Sequence, residues 1–356
     1  MIVAGGGTGG HLFPGLAVAQ AAAAEGAAVL FVGSRYGIEA RVIPQTTFPF
    51  EALPMRGLRG RGWRGVADLL QQLPVALVRA WRILGDFRPD IVVGVGGYAS
   101  AAMVLAAWLR RVPRVLLEQN AHPGLTNRRL GRLAQRVCTA FTEAAPFFPA
   151  GRTTLTGNPV RTLAAPAAAP GSGFTLLVFG GSQGAHRLNV AATEAAAILR
   201  RQIAELRVIH QTGAADAGWV RQRYAQAGVT AEVSPFIEDM GSAYGQADLV
   251  VCRAGATTVA EITALGKPAI LVPYPFAADD HQRANAEVLV HGNAAQMLLD
   301  RELTGTVLAA RVAALAADPD GLQAMAAAAR RLAIPDAAAR VLAVCREVIA
   351  QERTHA

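Results

Sequence analysis

The chain has 356 residues, 52% hydrophobic and 17% charged, which is longer than one typical domain and apolar enough to fill two cores. No apolar run approaches the ~20 residues of a membrane helix, which excludes a helical spanning protein, and Cys138, Cys252 and Cys345 stand far apart with no metal-ligand spacing. The formal charge of +8, almost all arginine because Lys267 is the only lysine, favours an anionic partner such as a nucleic acid, an anionic membrane or a phosphorylated substrate.

Met1 leads straight into Ile2-Val3-Ala4, a strand, so no targeting segment is expected and the cytoplasm is the expected compartment. Strands are predicted at residues 2–4, 28–32, 91–95, 115–117, 137–140 and 153–155, with helices between them. This alternation implies a parallel sheet covered on both faces. After the first strand come Gly5-Gly6-Gly7-Thr8-Gly9-Gly10 and the start of a helix. The spacing is that of a dinucleotide loop, but a dinucleotide site needs an acid at the end of the second strand. That strand ends Val32-Gly33-Ser34-Arg35, without one. A Walker loop is excluded, since no Gly-Lys-Ser/Thr follows. His11, at the mouth of the loop, is either a catalytic group or a histidine that merely caps the helix.

Residues 55–64 are glycine-rich and basic and include Trp63. The segment 66–84 then places Leu69, Leu70, Leu73, Leu77 and Leu84 on one helical face. Val75, Val78 and Trp81 fall off that face, with Arg79 and Arg82 nearby. Such a helix suits either peripheral contact with an anionic membrane or a core position with a basic edge.

Residues 164–173, rich in alanine, proline and glycine, read as a linker. A second alternation follows, with strands at 175–179, 206–210, 231–233, 249–252, 269–272 and 295–298 and a helix at 189–199. The remainder, from residue 302 to 351, is helical, interrupted at Pro335. The expected domains are therefore 1–163 and 164–335, with the helix 336–356 able to pack back on the first. The fold class is α/β: two doubly wound Rossmann-like domains facing a cleft at the carboxyl ends of their strands.

Two features of the second half suit a phosphorylated ligand. Gly180-Gly181-Ser182-Gln183-Gly184 lets a backbone approach a ligand closely. The strand 249–252 leads through Arg253-Ala254-Gly255 into a helix starting at Thr257-Thr258 and stopped by Gly266 and Pro268. The amides at that helix start have no partner inside the helix and carry partial positive charge. Glu261, one turn in, is placed to accept from a vicinal diol such as a ribose. The plainer reading is an ordinary βα unit with a solvent-facing Glu261.

The motifs GGGTGGHLFPGLA (5–17), GGYAS (96–100), EQNAHPGLTNR (118–128), TGNPVR (156–161), GGSQGAHRLN (180–189), HQTG (210–213), RAGATTVAE (253–261) and DHQRANA (280–286) occur in this order. Together they closely resemble the bacterial peptidoglycan glycosyltransferases of the MurG family, from residue 2 to beyond 285. The resemblance implies the two-domain GT-B fold and transfer of N-acetylglucosamine from UDP-N-acetylglucosamine onto undecaprenyl-diphospho-N-acetylmuramoyl-pentapeptide. It also implies peptidoglycan synthesis, work at the cytoplasmic face of the cell membrane, and no nucleic-acid partner.

By the same resemblance Ser182 and its loop would hold the diphosphate, and Ile237 would contact uracil through its backbone. Gly255, Ala256, Thr257, Thr258, Val259 and Ala260 would form the helix start beside diphosphate and sugar, with Glu261 as ribose acceptor and Gln282 on the sugar hydroxyls. Thr8, Gly9, Gly10, Asn120 and Arg161 would complete the nucleotide-sugar site. Thr257 departs from the serine or leucine common in relatives. The family reaction inverts the anomeric centre, and the base for the attacking 4-hydroxyl would be His11 or, second, Glu118. No cofactor is expected, nor an essential metal at the chemical step. The readings that remain open beside this one are another GT-B transferase with a lipid acceptor, an NADP-dependent oxidoreductase using the first glycine loop, and a non-catalytic nucleotide-sugar-binding scaffold.

Overall fold

Ile2-Val3-Ala4 is apolar and buried at every position, as a strand covered on both faces must be. Ile2 and Ala4 join the core on one side of their sheet and Val3 the core on the other. The computed structural model describes residues 1–55, 62–160, 173–181 and 183–355, and for 62–70 and 355 the backbone alone. Residues 56–61 of the basic segment, the side chains of Trp63, Leu69 and Leu70, Arg161, Ser182 and residues 164–172 of the linker expected at 164–173 lie outside the described residues. The chain divides into two compact units, Met1–Arg161 with Ile334–Ala356, and Thr162–Ala333.

In the first unit the strands are β1 (Ile2–Ala4), β2 (Leu30–Ser34), β3 (Phe50–Leu53), β4 (Val92–Gly94), β5 (Arg114–Glu118), β6 (Arg136–Thr139) and β7 (Thr153–Leu155). Among the described residues they form one sheet in the order β3-β2-β1-β4-β5-β6-β7, every pair parallel. The helices between them are α1 (Gly9–Ala24), α2 (Glu39–Val42), α3 (Gly62–Phe87), α4 (Gly97–Leu109) and α5 (Leu125–Leu130). On one face Leu84, Met103, Leu116 and Val137 pack together; on the other Leu12, Val18, Phe31, Val93 and Val115 do. The C-terminal helix Ala337–His355 adds Val341, Cys345 and Val348 to this second face. β3 was not foreseen in the sequence: Glu51 interrupts its apolar run, and at the sheet's edge Phe50, Glu51 and Ala52 are only half-buried.

The second unit repeats the plan. Its strands are β8 (Phe174–Phe179), β9 (Leu206–Gln211), β10 (Thr230–Ser234), β11 (Leu249–Cys252), β12 (Ala269–Leu271) and β13 (Gln296–Met297), ordered β10-β9-β8-β11-β12-β13, all parallel. The helices are α6 (His186–Leu199), α7 (Ala217–Ala227), α8 (Met240–Gln246), α9 (Ala256–Leu265), α10 (His281–His291), α11 (Gly305–Ala316) and α12 (Pro319–Leu332), and the C-terminal helix is α13. Gly266 ends α9 in the left-handed conformation, at φ 61°. The helical tail breaks where Asp318 caps α12 by accepting from the Gly321 amide and Pro319 takes the first position.

Both sheets are doubly wound, with the strand order reversing between β1 and β4 and between β8 and β11. Loops that leave the carboxyl edge at such a point diverge and leave a crevice for a ligand. The three cysteines are buried and free. Burial pushes the Cys345 thiol up to about 12, so it packs as a small apolar residue.

His210, on β9, is fully buried. Its Nε2 lies 3.0 Å from Asn189 Oδ1, and the Asn189 amide nitrogen donates to Thr212 O and to Asp216 Oδ2. Asn189 Oδ1 therefore accepts from Nε2–H, and Nδ1 accepts from the Tyr224 hydroxyl, 2.8 Å away. Burial lowers the His210 pKa to about 3. In the unfolded chain the same imidazole binds a proton below about 6.5. The stability contributed by the neutral ring is thus fully present above about pH 6.5 and is lost as pH falls towards 3, at up to about 1.4 kcal/mol per pH unit. Urea midpoints of the second unit should fall over this interval, and a profile flat from pH 6.5 to 4 would contradict the assignment.

Candidate active site

The turn after β8 depends on glycine. Gly184 has φ +75°, and a Cβ there would strike the carbonyl of Thr212; Gly213, at φ +80°, faces Gln183 O in the same way. The turns after β8 and β9 are thereby interlocked. Gly181, at φ +90°, has open space where a Cβ would stand, with nothing within 4 Å among the described residues. A ligand can enter that space. Gln211 ties this turn to the next: its Nε2 donates to Gly181 O at 2.9 Å, and its Oε1 accepts from the Ile237 amide at 2.8 Å. With that amide engaged, Ile237 has its carbonyl to offer a ligand.

β11 lies beside β8, so the loop after β11 emerges next to this turn. Gly255 is the N-cap of α9 and has no side chain to cap it, and the first amide bond inside the helix runs from Val259 N to Gly255 O. The amides of Ala256, Thr257 and Thr258 precede it and have no helical partner. Thr257 Oγ1 is buried and has no hydrogen-bond partner among the described residues. Val259 is buried on the core side of α9, and Ala260 is half-buried. Glu261, in the second turn, is only 8% exposed rather than solvent-facing, and its Oε2 accepts from the buried Tyr244 hydroxyl at 3.1 Å.

Arg253 anchors this loop from below. Its guanidinium pairs with Asp300 at 2.7 Å and donates to Val272 O and Pro273 O, joining the ends of β11 and β12. Asn285 Nδ2 donates to Ala254 O. Gln282, on the first turn of α10, accepts the Tyr274 amide on its Oε1 at 2.9 Å, which leaves its amide nitrogen as the donor for a ligand.

In the first unit the glycine loop lies at the β1/β4 reversal. Thr8 is the N-cap of α1 but makes no side-chain cap; its Oγ1 instead lies 3.2 Å from His11 Nδ1. Gly9 and Gly10 form the first turn. The His11 ring rests over Gly96, the N-cap of α4, where a Cβ would stand 2.8 Å from Cδ2 and 2.9 Å from Nε2. Glu118 ends β5 and is 1% exposed. Its Oε1 accepts from the Asn120 amide and Nδ2, and its Oε2 from Asn127 Nδ2. Burial raises its pKa, opposed by these hydrogen bonds. The carboxylate holds Asn120, which is half-buried, in place.

The chain carries an Asp-x-Asp triplet, Asp318-Pro319-Asp320. Asp318 is occupied in capping α12. Among the described residues no group of three or more His, Cys, Asp or Glu is placed to hold a metal ion, and no helix is long and apolar enough to cross a membrane. Leu73 and Leu77 pack on the core, whereas Val75, Val78 and Trp81 are exposed, together with Trp108 and Leu109 at the end of α4. The Arg110 guanidinium sits 4.3 Å over the Trp81 ring. Gln211 stands in the HQTG motif without an assigned role, and Tyr244, Asp300 and the buried Glu39, which accepts the Gly7 amide, are not singled out by the sequence.

The model of the glycosyltransferase family 28 N-terminal domain matches residues 1–139, and that of the family 28 C-terminal domain residues 175–341. A protein of Anaeromyxobacter sp. (strain K) is 48% identical over 356 residues, covering 98% of this chain and 93% of its own; it is named UDP-N-acetylglucosamine--N-acetylmuramyl-(pentapeptide) pyrophosphoryl-undecaprenol N-acetylglucosamine transferase. A protein of Geobacter sp. (strain M21) with the same name is 49% identical over 350 residues, covering 96% of this chain and 94% of its own. The crystal structure of Acinetobacter baumannii MurG matches with a TM-score of 0.79 at 34% identity, over 97% of this chain and 98% of that one. A calicheamicin glycosyltransferase, 17% identical over 98% of each chain with a TM-score of 0.70, shares the fold alone.

Proposed function

The chain belongs to the MurG family of glycosyltransferases, and on that footing we propose that it moves N-acetylglucosamine from UDP-N-acetylglucosamine to the 4-hydroxyl of undecaprenyl-diphospho-N-acetylmuramoyl-pentapeptide in peptidoglycan synthesis. The observation that carries the assignment to residues is the start of α9. Uncapped amides and the orphaned Thr257 hydroxyl stand beside the open turn at Gly181, with Glu261 held one turn further in by Tyr244.

A diphosphate suits the amides of Ala256 to Thr258 and the turn at 180–184, which includes Ser182. The Ile237 carbonyl would accept from uracil N3–H, Glu261 from the ribose hydroxyls, and the Gln282 amide would donate to sugar hydroxyls. Thr8, Gly9, Gly10, Asn120 and Arg161 are the first unit's proposed contributions to donor binding. In the transfer step the acceptor oxygen forms a bond to C1 as the bond from C1 to the diphosphate breaks. The electron pair leaves on UDP, whose charge the helix-start amides stabilise. The hydroxyl proton passes to His11, with the Thr8 hydroxyl beside its Nδ1 orienting the ring.

The acceptor is lipid-linked, which calls for contact with a membrane, here placed at its cytoplasmic face. The exposed Val75, Val78, Trp81, Trp108 and Leu109, with Arg82 and Arg111 exposed beside them, suit an anionic bilayer surface. A role in cell shape and division would follow from cell-wall synthesis.

The function is tested by a transfer assay offering radiolabelled UDP-N-acetylglucosamine, UDP-glucose and UDP-N-acetylgalactosamine with the muramoyl lipid. Transfer from the first alone is expected, and preference for another sugar would overturn the donor assignment. Trp81→Glu should reduce flotation with anionic vesicles while leaving UDP affinity unchanged; undiminished flotation would move the membrane contact elsewhere.

Glu261→Ala removes a charge-assisted hydrogen bond worth about 1.5–3 kcal/mol, so UDP should bind roughly ten- to hundredfold more weakly by calorimetry. Equal affinity in the folded variant would remove Glu261 from the ribose. His11→Ala should lower kcat by at least about a hundredfold with little change in UDP affinity. A near-normal kcat would end the assignment of His11 as base, whereas a raised acceptor KM alone would make it a binding contact.

A further inference from the structure

We propose that Glu39 is a positioning residue for the transfer step, gripping the first glycine loop from below so that Thr8 and His11 are aimed; this rests on the reading of His11 given above. Glu39 is the first residue of α2 and is fully buried. A buried carboxylate needs hydrogen-bond donors to offset its lost hydration. Glu39 finds two backbone amides on separate elements. Its Oε2 accepts from Gly7 N at 2.7 Å, and its Oε1 from Ser34 N, at the end of β2, at 2.8 Å. A Cβ at Gly6, Gly33 or Gly37 would collide with this side chain. Three glycines thus make the chamber in which one carboxylate joins the end of β2 to the loop after β1.

The grip has a direction. In a trans peptide the N–H and the preceding carbonyl point opposite ways. The Gly7 amide points at Glu39, so the Gly6 carbonyl turns away from it, towards α4. There Gly97, at φ +83°, is so close that a Cβ on it would lie 2.7 Å from Gly6 O. The neighbouring Gly96 lies under the His11 ring, and Thr8, next after Gly7, lies at hydrogen-bond distance from His11 Nδ1. Glu39 therefore reaches the imidazole through a short path: Gly7 and Thr8 on one side, Gly6 with Gly97 and Gly96 on the other. Its hydrogen bonds run to the Gly7 and Ser34 amides.

Glu39→Gln keeps the shape but replaces one acceptor oxygen with an NH2 group, so only one of the two amides can be held. Kinetics with saturating substrates should show kcat lowered at least about tenfold. UDP affinity should fall much less than kcat, because the groups assigned to uracil, ribose and diphosphate belong to the second unit, and the loop of Thr8, Gly9 and Gly10 supplies only part of the donor site. If Glu39 acts through His11, the two substitutions are not additive. The double variant Glu39→Gln/His11→Ala should then be no slower than His11→Ala alone. A carboxylate that only stabilises the fold would leave kcat of the folded enzyme unchanged or slow the two variants independently. Overturning results are a kcat within about twofold of the wild type, a double variant slower by the product of the single losses, or a UDP affinity that falls as far as kcat. A second arm does not depend on the variant folding. Amide hydrogen exchange on the wild-type chain should find Gly7 N–H protected like the sheet amides, and exchange as fast as an open loop overturns the grip. If the wild-type chain transfers no sugar at all, the parent reading fails and the catalytic half of this proposal with it, while the exchange arm still decides whether Glu39 holds Gly7.

Discussion

Two parallel sheets impose one constraint on this protein: where turns leave the carboxyl ends of adjacent strands, they crowd one another. Adjacent strands are only about 4.8 Å apart, so turns from neighbouring strands meet backbone to backbone. In the first unit Gly5 lies against Gly96 O and Gly97 against Gly6 O, across the reversal between β1 and β4. In the second Gly184 lies against Thr212 O and Gly213 against Gln183 O, between β8 and β9. A side chain at any of these positions would push the turns apart. The glycines are therefore first a packing requirement. The ligand-facing surface is what such packing leaves: carbonyls turned inwards, and helix starts with unused amides.

Once the backbones are this close, single polar side chains can tie them. Gln211 joins the turn at Gly181 to Ile237, Arg253 joins the ends of β11 and β12 to Asp300, and Glu118 joins Asn120 to Asn127. Each is buried and bonds mainly to backbone groups or side-chain amides, with Asp300 as the charged partner of Arg253. Breaking such a buried pair by removing one partner costs roughly 3–5 kcal/mol where a charge is left behind. The ties therefore hold the loop geometry as firmly as the core holds the strands. The site can present several backbone donors and acceptors with few side chains of its own.

How much of this could be read from the sequence follows from range. The sheets were legible because each strand is a short apolar run bounded by turn residues, and the start of α9 because Gly255 and Gly266 bracket it. β3 was not, because an edge strand that is half-buried with Glu51 at its centre lacks that signature. The site was legible where its elements are backbone features: two glycine turns and one helix start. Its supporting side chains were not, because their partners lie far along the chain. Glu39 meets Gly7 32 residues away, Gln211 meets Ile237 26 away and Tyr244 meets Glu261 17 away. Glu39 in particular was invisible to a search for an acid at the end of β2. It stands five residues past Ser34, beneath the loop instead of at its rim.

The two titratable groups named for proton removal are separated by their surroundings. Burial raises the pKa of Glu118, which would suit a base, but both its oxygens already accept from Asn120 and Asn127, and it is 1% exposed. To meet a sugar hydroxyl it would have to give up those bonds and release Asn120. The cost would be one or more charge-assisted hydrogen bonds at about 1.5–3 kcal/mol each, before any proton moved. His11 differs in exposure: its Nδ1 lies 3.2 Å from the Thr8 hydroxyl. Its ring is half-buried and lies over Gly96, where the missing Cβ makes the room it occupies. The geometry thus ties Glu118 to Asn120 and leaves His11, under the proposed function, the better placed of the two for the acceptor hydroxyl.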